Sequence, residues 1–346
     1  MRLAYVVGGS IDPKLAYLID AHQSPRFEYN VFLSRNEADT ITMDDLERGR
    51  SLWTKWWRRV DKPFFALSAL THERVLKYDA VITSGEDVGI PLGIGAMMDA
   101  LTVPIYIITH GSYFGSRKFR AVCRLFARMP NIHFLCLSES LRQRLIAMGI
   151  PQDRAHNAGY GVDTEFFAPR PSTDSPVIVS AGTAARDYVT LVEASKDLGI
   201  DVKIVASSRW HTLATELDDS DMPPHVEARS YGNYMGLRDL YARASFVVVP
   251  LFPAVHACGY AVIAEAMSMG KAVIVSRTES PSDFVVDGET GFYVTPGDVA
   301  ELKDKMQTLL ENPDRAAAMG AAARSIMQEH FSVEAYSGRI EKIVLG

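Results

Sequence analysis

Short apolar runs recur along the chain and alternate with segments of helical periodicity. The runs have the length of buried strands, about 4 to 8 residues. The clearest are Leu3–Val7, Asp79–Thr83, Val103–Thr109, Ile132–Leu137, Val177–Ala181, Val202–Ala206, Phe246–Val249, Val273–Ser276 and Phe292–Val294. Helical patterns such as Leu141–Met148 lie between them. This alternation predicts an α/β protein whose parallel sheets are covered by helices on both faces.

A stretch of linker composition separates two series of these elements. Ala168–Pro176 is rich in proline, serine and charged residues, which is typical of a linker. A chain of 346 residues is also longer than one hydrophobic core normally supports. We therefore predict two Rossmann-like domains, residues 1–168 and 176–330, that bind ligand at the carboxyl ends of their strands.

Composition and charge narrow the classes of function. Residues 1–165 carry 20 Lys and Arg against 18 Asp and Glu, and the remainder carries 16 against 24, so the net charge of −6 divides into +2 and −8. An acidic second half without basic clusters argues against nucleic-acid binding. Three cysteines without paired spacing fit neither a disulfide framework nor a zinc site. With no signal peptide and no apolar run of about 20 residues, we expect a cytoplasmic protein.

The segment His256–Gly270 has the most informative pattern, because it places a loop, a helix and a glycine stop between two buried strands. In such a βαβ unit the amino end of the helix faces the carboxyl edge of the sheet, where backbone N–H groups and the helix dipole attract an anion. Gly259 allows a ligand to approach the backbone, and the Glu265 carboxylate can accept hydrogen bonds from hydroxyl groups. The segment therefore suits a hydroxylated ligand that carries phosphate.

This segment and the downstream SPSDFVVDGETGFYV resemble the nucleotide-sugar site of retaining GT-B glycosyltransferases of the family-4 type. The matching residues are Glu265, Ala266, Met267, Gly270, Val273, Asp287, Gly288 and Gly291. The segment Leu137–Pro169 also resembles the family's domain-closing segment, with matches at Gly161, Val162, Asp163 and Phe167. The resemblance covers roughly residues 75–330. It implies two Rossmann-like domains that face each other across a cleft, with a C-terminal helix, residues 331–346, packing back on the first.

The resemblance also implies which residues form the site. The expected donor-binding residues are Gly9, Gly182, Arg186, His256, Cys258, Gly259, Tyr260 and Glu265. Among them, Glu265 would hold the ribose and Arg186 would neutralise the diphosphate, unless Arg186 is a solvated surface residue. His110 follows a buried strand and would contact the sugar, although a core or turn histidine is the alternative. His110 and Glu265 are the candidate catalytic residues.

The candidate acceptor contacts lie in the first domain. They are Gly8, Glu86 and Asp87, each placed directly after a predicted strand. Gly8 and Gly9 could equally form a plain strand-ending turn, and Glu86 and Asp87 could equally cap the following helix. Cys258 fits a small residue in a tight loop better than a nucleophile.

Three positions depart from the family pattern. Ala257 stands where the family has its first acidic residue, which holds hydroxyls of the donor sugar. His256 or the Gly259–Tyr260 backbone is expected to substitute for it. Thr183 replaces an arginine next to the glycine turn, and Tyr160 replaces an asparagine. The ribose contact therefore carries over, whereas the identity of the sugar does not.

These features predict a hexosyltransferase that moves a sugar from a UDP- or GDP-linked donor to a saccharide or lipid-linked saccharide, as in polysaccharide biosynthesis. The resemblance implies retention of anomeric configuration without a protein nucleophile or a metal. A nucleotide-sugar epimerase, a phosphorylase and a catalytically silent nucleotide-binding subunit remain open. A dinucleotide-dependent dehydrogenase is disfavoured because Gly8-Gly9-Ser10 lacks the third glycine of that fingerprint.

Two basic and aromatic segments suggest where an acceptor could be met. Residues 51–59 combine three tryptophans with three cations, and residues 117–128 form a second basic stretch. Tryptophan beside lysine or arginine is typical of helices that lie on an anionic bilayer. These segments predict peripheral contact with the inner face of the membrane. The alternatives are tryptophans in the core and arginines on a solvated face.

Overall fold

The structure is a computed structural model and describes residues 1–172, 174–206, 222–229 and 233–346. Thr173 of the predicted linker lies outside these residues. The chain divides into two compact units. The first unit contains Met1–Leu15, Glu28–Gly159 and Tyr336–Gly346, and the second contains Ala16–Phe27 and Tyr160–Ala335. The predicted domain bounds, 1–168 and 176–330, stay a prediction.

The first unit is built on a parallel sheet of six strands. The strands are β1 Leu3–Val6, β2 Ala38–Ile41, β3 Ala80–Thr83, β4 Ile105–Thr109, β5 Ile132–Cys136 and β6 Ala155–Asn157. They lie in the order β2-β1-β3-β4-β5-β6. β1, β3 and β4 are buried along their whole length, as parallel strands covered on both faces must be. The four strands predicted in this half of the chain are confirmed.

Helices connect these strands. They are α1 Leu15–Asp20, α2 Glu28–Arg35, α3 Leu52–Arg59, α4 Pro63–Arg74, α5 Glu86–Met98, α6 Arg117–Phe126 and α7 Glu139–Ala147. α4 packs against both α3 and α5. Gly93 of α5 lies against the ring of Phe126 of α6, where a Cβ would come within 2.6 Å of the Cζ atom. Helices α3 to α6 therefore form one continuous layer.

The second unit repeats this architecture. Its described strands are β7 Val177–Ala181, β8 Val202–Val205, β9 Val226–Arg229, β10 Ala244–Val249, β11 Val273–Ser276 and β12 Gly291–Val294. They are parallel and lie in the order β12-β11-β10-β7-β8-β9. The described helices of this part of the chain are α8 Tyr188–Ala194, α9 Tyr234–Arg243, α10 Tyr260–Ser268, α11 Val299–Glu311 and α12 Pro313–His330. The last helix, α13 Val333–Leu345, belongs to the first unit from Tyr336 onward. The α/β class predicted from the sequence is confirmed.

The strand order reverses once in each sheet. In the first unit β1 pairs with both β2 and β3, and in the second unit β7 pairs with both β8 and β10. Loops that leave the two strands at such a point diverge, and the crevice between them is where open α/β sheets bind ligands. In the described part of the chain, no helix is long and apolar enough to span a membrane.

Candidate functional site

Helix α10 of the second unit begins at a glycine that cannot be replaced without strain. Gly259 has φ 77°, and a Cβ there would lie 2.8 Å from Cγ1 of Val249 at the end of β10. No side chain caps this helix end, and the first backbone N–H groups of a helix have no partner within it. The helix stops at Gly270, which has φ 71°. The loop, helix and glycine stop predicted from the sequence are all present.

Arg186 lies beside this helix end, in the loop that leaves β7. Its Nε donates to the Ala181 carbonyl at 2.7 Å and its Nη1 to the Ala184 carbonyl at 2.8 Å. Gly182 has φ 98°, and a Cβ at that position would overlap the Arg186 guanidinium. The guanidinium is thus held against glycine backbone on one side.

Arg186 has no ion-pair partner among the described residues, although its charge acts to lower the pKa of the nearby Glu265 carboxyl. The other polar side chains around it are Tyr188, Tyr241 and Cys258. Burial lowers the pKa of Arg186, yet an arginine stays protonated in proteins. A cation held by backbone carbonyls and not engaged in an ion pair can bind an anion.

Glu265 points from the second turn of α10 toward Tyr241, whose hydroxyl donates to its Oε2 at 3.0 Å. Burial raises the pKa of Glu265 to about 7, although the Tyr241 hydrogen bond and the Arg186 charge oppose this rise. The carboxyl group therefore exchanges its proton near neutral pH. In its ionised form it has acceptor capacity beyond the Tyr241 bond.

Three predicted donor contacts lie in the loop that precedes α10 or at the first residue of that helix, and their side chains have different environments. Cys258 is buried, and burial raises the pKa of its thiol to about 11, so it stays protonated. The Tyr260 hydroxyl donates to the backbone carbonyls of Ser280 and Pro281 at 3.1 and 2.8 Å, which ties the next loop to the helix. His256 is half-buried in the same loop.

Asp163 and Asp287, which belong to two of the matched motifs, hold backbone segments of the second unit in place. Asp163 accepts hydrogen bonds from the backbone N–H of Arg26 at 2.8 Å and from its guanidinium at 2.8 and 3.1 Å. Asp287 accepts the backbone N–H of Tyr293 at 2.9 Å and closes the turn at Gly288, which has φ 81°. Both carboxylates therefore stabilise backbone conformation.

In the first unit, His110 follows β4 and stands beside a buried acid. Glu86, the first residue of α5, is 2% exposed; its Oε1 accepts the Gly111 backbone N–H at 2.7 Å, and its Oε2 lies 3.5 Å from His110 Nδ1. Burial by itself lowers the pKa of His110, but the Glu86 hydrogen bond and the charges of Glu86, Glu28 and Asp87 outweigh it, so the pKa is raised. The histidine side chain remains 44% exposed.

The other first-unit candidates surround this pair. The Gly8 backbone N–H donates to Ser84 Oγ at 2.9 Å, which joins the loops that leave β1 and β3. The Tyr113 hydroxyl donates to Asp87 Oδ1. Gly9 is buried, and its carbonyl accepts the Met43 backbone N–H at 3.2 Å, which joins the loops that leave β1 and β2. Within the described ranges, no three His, Cys, Asp or Glu side chains converge as metal ligands would.

The candidate residues thus form two groups. The Arg186 cluster, in the second unit, consists of Gly182, Arg186, Tyr188, Tyr241, Gly259 and Glu265. The His110 cluster, in the first unit, consists of Gly8, Ser84, Glu86, Asp87, His110 and Tyr113. Sequence reasoning missed both tyrosines of the Arg186 cluster, because a tyrosine inside a helical pattern gives no signal that its hydroxyl meets a carboxylate.

Comparison with known proteins bears on the second unit most directly. Residues 162–326 match the model of a family described as glycosyl transferases group 1. This range contains the whole Arg186 cluster.

Two related sequences illustrate the relationship. An uncharacterized glycosyltransferase of Methanocaldococcus jannaschii is 22% identical over 70% of this chain and 68% of its own length. The GDP-mannose-dependent alpha-(1-6)-phosphatidylinositol monomannoside mannosyltransferase of Mycolicibacterium smegmatis is 23% identical over 61% of this chain and 61% of its own length. The chain therefore spans about three fifths of that mannosyltransferase.

A solved structure extends the likeness to both units. The Anabaena protein HepE, determined in complex with UDP-glucose, superposes with a TM-score of 0.72 over 99% of each chain at 15% identity. At that identity the likeness concerns the fold. It confirms the predicted GT-B class with two Rossmann-like domains.

Proposed function

We propose that the protein, whose residues 162–326 match the family described as glycosyl transferases group 1, transfers a sugar from a nucleotide-sugar donor to a saccharide or lipid-linked saccharide. The transfer is proposed to retain the anomeric configuration. The observation that carries the proposal is Arg186. It is a cation that forms no ion pair with any described residue, held by backbone carbonyls at the point where the strand order reverses. The amino end of helix α10 lies at the same edge of the sheet.

The donor diphosphate is the anion that this edge of the sheet fits. The charge that develops on a departing nucleoside diphosphate must be stabilised for transfer to occur. Arg186 supplies a full positive charge, and the amino end of α10 supplies backbone N–H groups and a partial positive charge. Because the guanidinium is already fixed at Ala181 and Ala184, little reorganisation accompanies the reaction.

Glu265 is proposed to hold the ribose. A diol donates two hydrogen bonds, and the ionised carboxylate has acceptor capacity left after its bond with Tyr241. Ala257 stands where the resembling family has an acidic residue, so this chain has no carboxylate at that position to hold the transferred sugar. We propose that the Gly259–Tyr260 backbone and His256 take that place, with a UDP- or GDP-linked hexose as the donor.

His110 is proposed to contact a sugar hydroxyl, with Glu86 as its positioning residue. The buried Glu86 carboxylate faces Nδ1 and is held by the Gly111 backbone N–H, so the ring keeps one orientation and its Nε2 edge remains for a ligand. Direct contact of Glu86 with an acceptor stays a prediction, as do the acceptor roles of Gly8 and Asp87. Peripheral membrane contact through residues 51–59 and 117–128, at the inner face, is part of the proposal.

A thermal-shift screen tests the donor site. UDP, GDP, ADP and their common sugar conjugates are added to the wild type, Arg186→Ala, Glu265→Ala and the matched control Arg315→Ala, an exposed arginine outside the cluster. Because a ligand that binds only the native state stabilises it, one nucleotide at about 100 times its Kd should raise the melting temperature by about 5 °C in the wild type and the control. The two cluster variants should show little shift. No shift with any nucleotide would overturn the donor site.

A further inference from the structure

Helix α3 exposes its apolar side chains and buries a polar one. Leu52, Trp53 and Trp56 are 83%, 66% and 49% exposed. The fully buried side chain of the helix is Thr54, which shares a 2.8 Å hydrogen bond with Ser51 Oγ. A helix that packs on its own core does the opposite, because burial of apolar surface is the main favourable term in folding. The alternative that places these tryptophans in the core is therefore wrong for Trp53 and Trp56.

The exposed rings continue from α3 into α4. Trp56 and Trp57 have ring centroids 4.4 Å apart, and Trp57 stacks on Phe65 at 4.7 Å. Phe64 and Phe65 are themselves exposed at the start of α4. The aromatic strip is defined as Leu52, Trp53, Trp56, Trp57, Phe64 and Phe65. A contiguous exposed apolar surface of this kind marks an interaction site.

One end of the aromatic strip reaches the His110 cluster. A Cβ on Gly8 would lie 3.5 Å from both Phe64 Cε1 and Ser84 Oγ, so the Phe64 ring stands directly beside the Gly8 loop. One step further, a Cβ on Gly85 would lie 3.9 Å from the His110 ring. The strip therefore runs from the exposed surface of α3 to the residues predicted to meet the acceptor.

Cations border the strip. Lys55, Arg59 and Lys62 are exposed, and no acid among the described residues forms an ion pair with them. Arg58 is paired with Glu47. Tryptophan and lysine or arginine on one short helix match the layers of an anionic bilayer, with hydrocarbon below and charged headgroups above. Leu52, the most exposed side chain of the strip at 83%, has no flat face on which a sugar ring could stack, so the strip suits hydrocarbon better than saccharide.

The neighbouring basic helix has a different role. α6 buries Phe119, Cys123 and Phe126 and exposes cations instead. These cations are Arg117, Lys118, Arg120 and Arg124, and exposed Arg128 follows just after the helix. α6 can therefore attract an anionic surface without inserting into it, whereas α3 can insert.

We propose that the aromatic strip docks on an anionic lipid bilayer and brings the lipid-linked acceptor to the His110 cluster. The acceptor part of this inference rests on the proposed glycosyl transfer, whereas the docking does not. Residues of α3 and the start of α4 enter the interface, and Lys55, Arg59 and Lys62 bind the headgroups. The protein then meets its acceptor at the membrane surface.

Vesicle sedimentation tests the docking, with phosphatidylcholine vesicles that contain or lack phosphatidylglycerol. The wild type should bind the anionic vesicles, and Trp53→Ser/Trp56→Ser should weaken binding by about tenfold or more because two large apolar side chains leave the interface. The matched control is Leu76→Ser/Met98→Ser, which removes exposed apolar side chains near the far ends of α4 and α5 and should bind like the wild type. Lys55→Glu/Arg59→Glu/Lys62→Glu should lose about tenfold on anionic vesicles.

Tryptophan fluorescence gives an independent readout, because three of the four tryptophans of the chain lie on α3. Emission should shift to shorter wavelength when anionic vesicles are added. Failure of the wild type to bind, or equal binding by Trp53→Ser/Trp56→Ser, would overturn the docking. Nucleotide-induced stabilisation of that variant should equal the wild type, so loss of docking and failure of the donor site give separate signals.

Discussion

At the scale of single residues, the Arg186 cluster favours ligand binding at some cost in stability. Arg186 forms no ion pair with a described residue, and Glu265 carries a carboxyl group whose pKa burial raises to about 7. Groups held in unfavourable environments at a site destabilise the free protein and are compensated elsewhere in the fold. The position of Glu265 one and a half turns into a helix could be read from the sequence. Its contact with Tyr241 could not, because that bond joins side chains from two separate helices.

The raised pKa of Glu265 predicts how stability depends on pH. The folded pKa lies above that of an unfolded glutamate, so the folded state binds the extra proton between about pH 4.5 and 7 and its stability falls as the pH rises through that window. Glu265→Gln keeps an acceptor for Tyr241 and cannot ionise. We expect its melting temperature without ligand to exceed that of the wild type by about 3 °C or more at pH 8 and to match it near pH 5.

Melting curves of the free proteins across pH 5 to about 8 measure this difference. Exposed Glu289→Gln is the control and should follow the wild type throughout. A constant difference between Glu265→Gln and the wild type at every pH would show that Glu265 does not titrate in this range.

At the scale of elements, the central strands and the buried edge strand β12 were predictable, whereas the edge strands β2, β6 and β9 were not. β1, β3, β4, β10 and β11 are almost wholly apolar because helices cover both faces of the sheet at its centre. The edge strands β2 and β9 have the sequences ADTI and VEAR and leave most of their residues accessible. Without an apolar run they give no periodic signal. For α3, the spacing of the apolar residues indicated a helix, but it did not show which face of that helix is exposed.

The start of helix α10 gives a prediction at this scale. Gly259→Ala places an alanine at φ 77° and brings its Cβ to 2.8 Å from Val249 Cγ1. Left-handed backbone costs a non-glycine residue about 1–2 kcal/mol, and the clash adds to that. We therefore expect a large loss of melting temperature together with loss of nucleotide-induced stabilisation, both measured by thermal denaturation.

Gly297→Ala is the matched control, because Gly297 has φ 79° with nothing within 4 Å of the added Cβ. This variant isolates the backbone strain and should keep the response to nucleotide. If both variants lost the same stability and both retained the response, the close approach at Gly259 would have no role in the site.

At the scale of the whole molecule, the alternation of elements indicated two Rossmann-like halves, and the motifs indicated the family. The sequence did not predict that a segment near the start of the chain belongs to the second unit. Residues 16–27 belong to the second unit, where Arg26 binds Asp163 across 137 positions of sequence. That bond lowers the pKa of Asp163 despite burial, which acts to raise it. Neither hydrophobic periodicity nor composition can predict an ion pair between residues so far apart in the sequence.

The central claim, sugar transfer from a nucleotide donor, is tested most directly by release of nucleoside diphosphate. The wild type is incubated with the nucleotide sugar that the thermal screen selects, anionic vesicles, and a panel of simple saccharides as acceptors. We expect release of one nucleoside diphosphate per sugar transferred, with kcat/KM about 100-fold lower in Arg186→Ala and unchanged in Arg315→Ala. Tight nucleotide binding by a wild type that leaves the donor intact would contradict the account and favour a silent nucleotide-binding subunit.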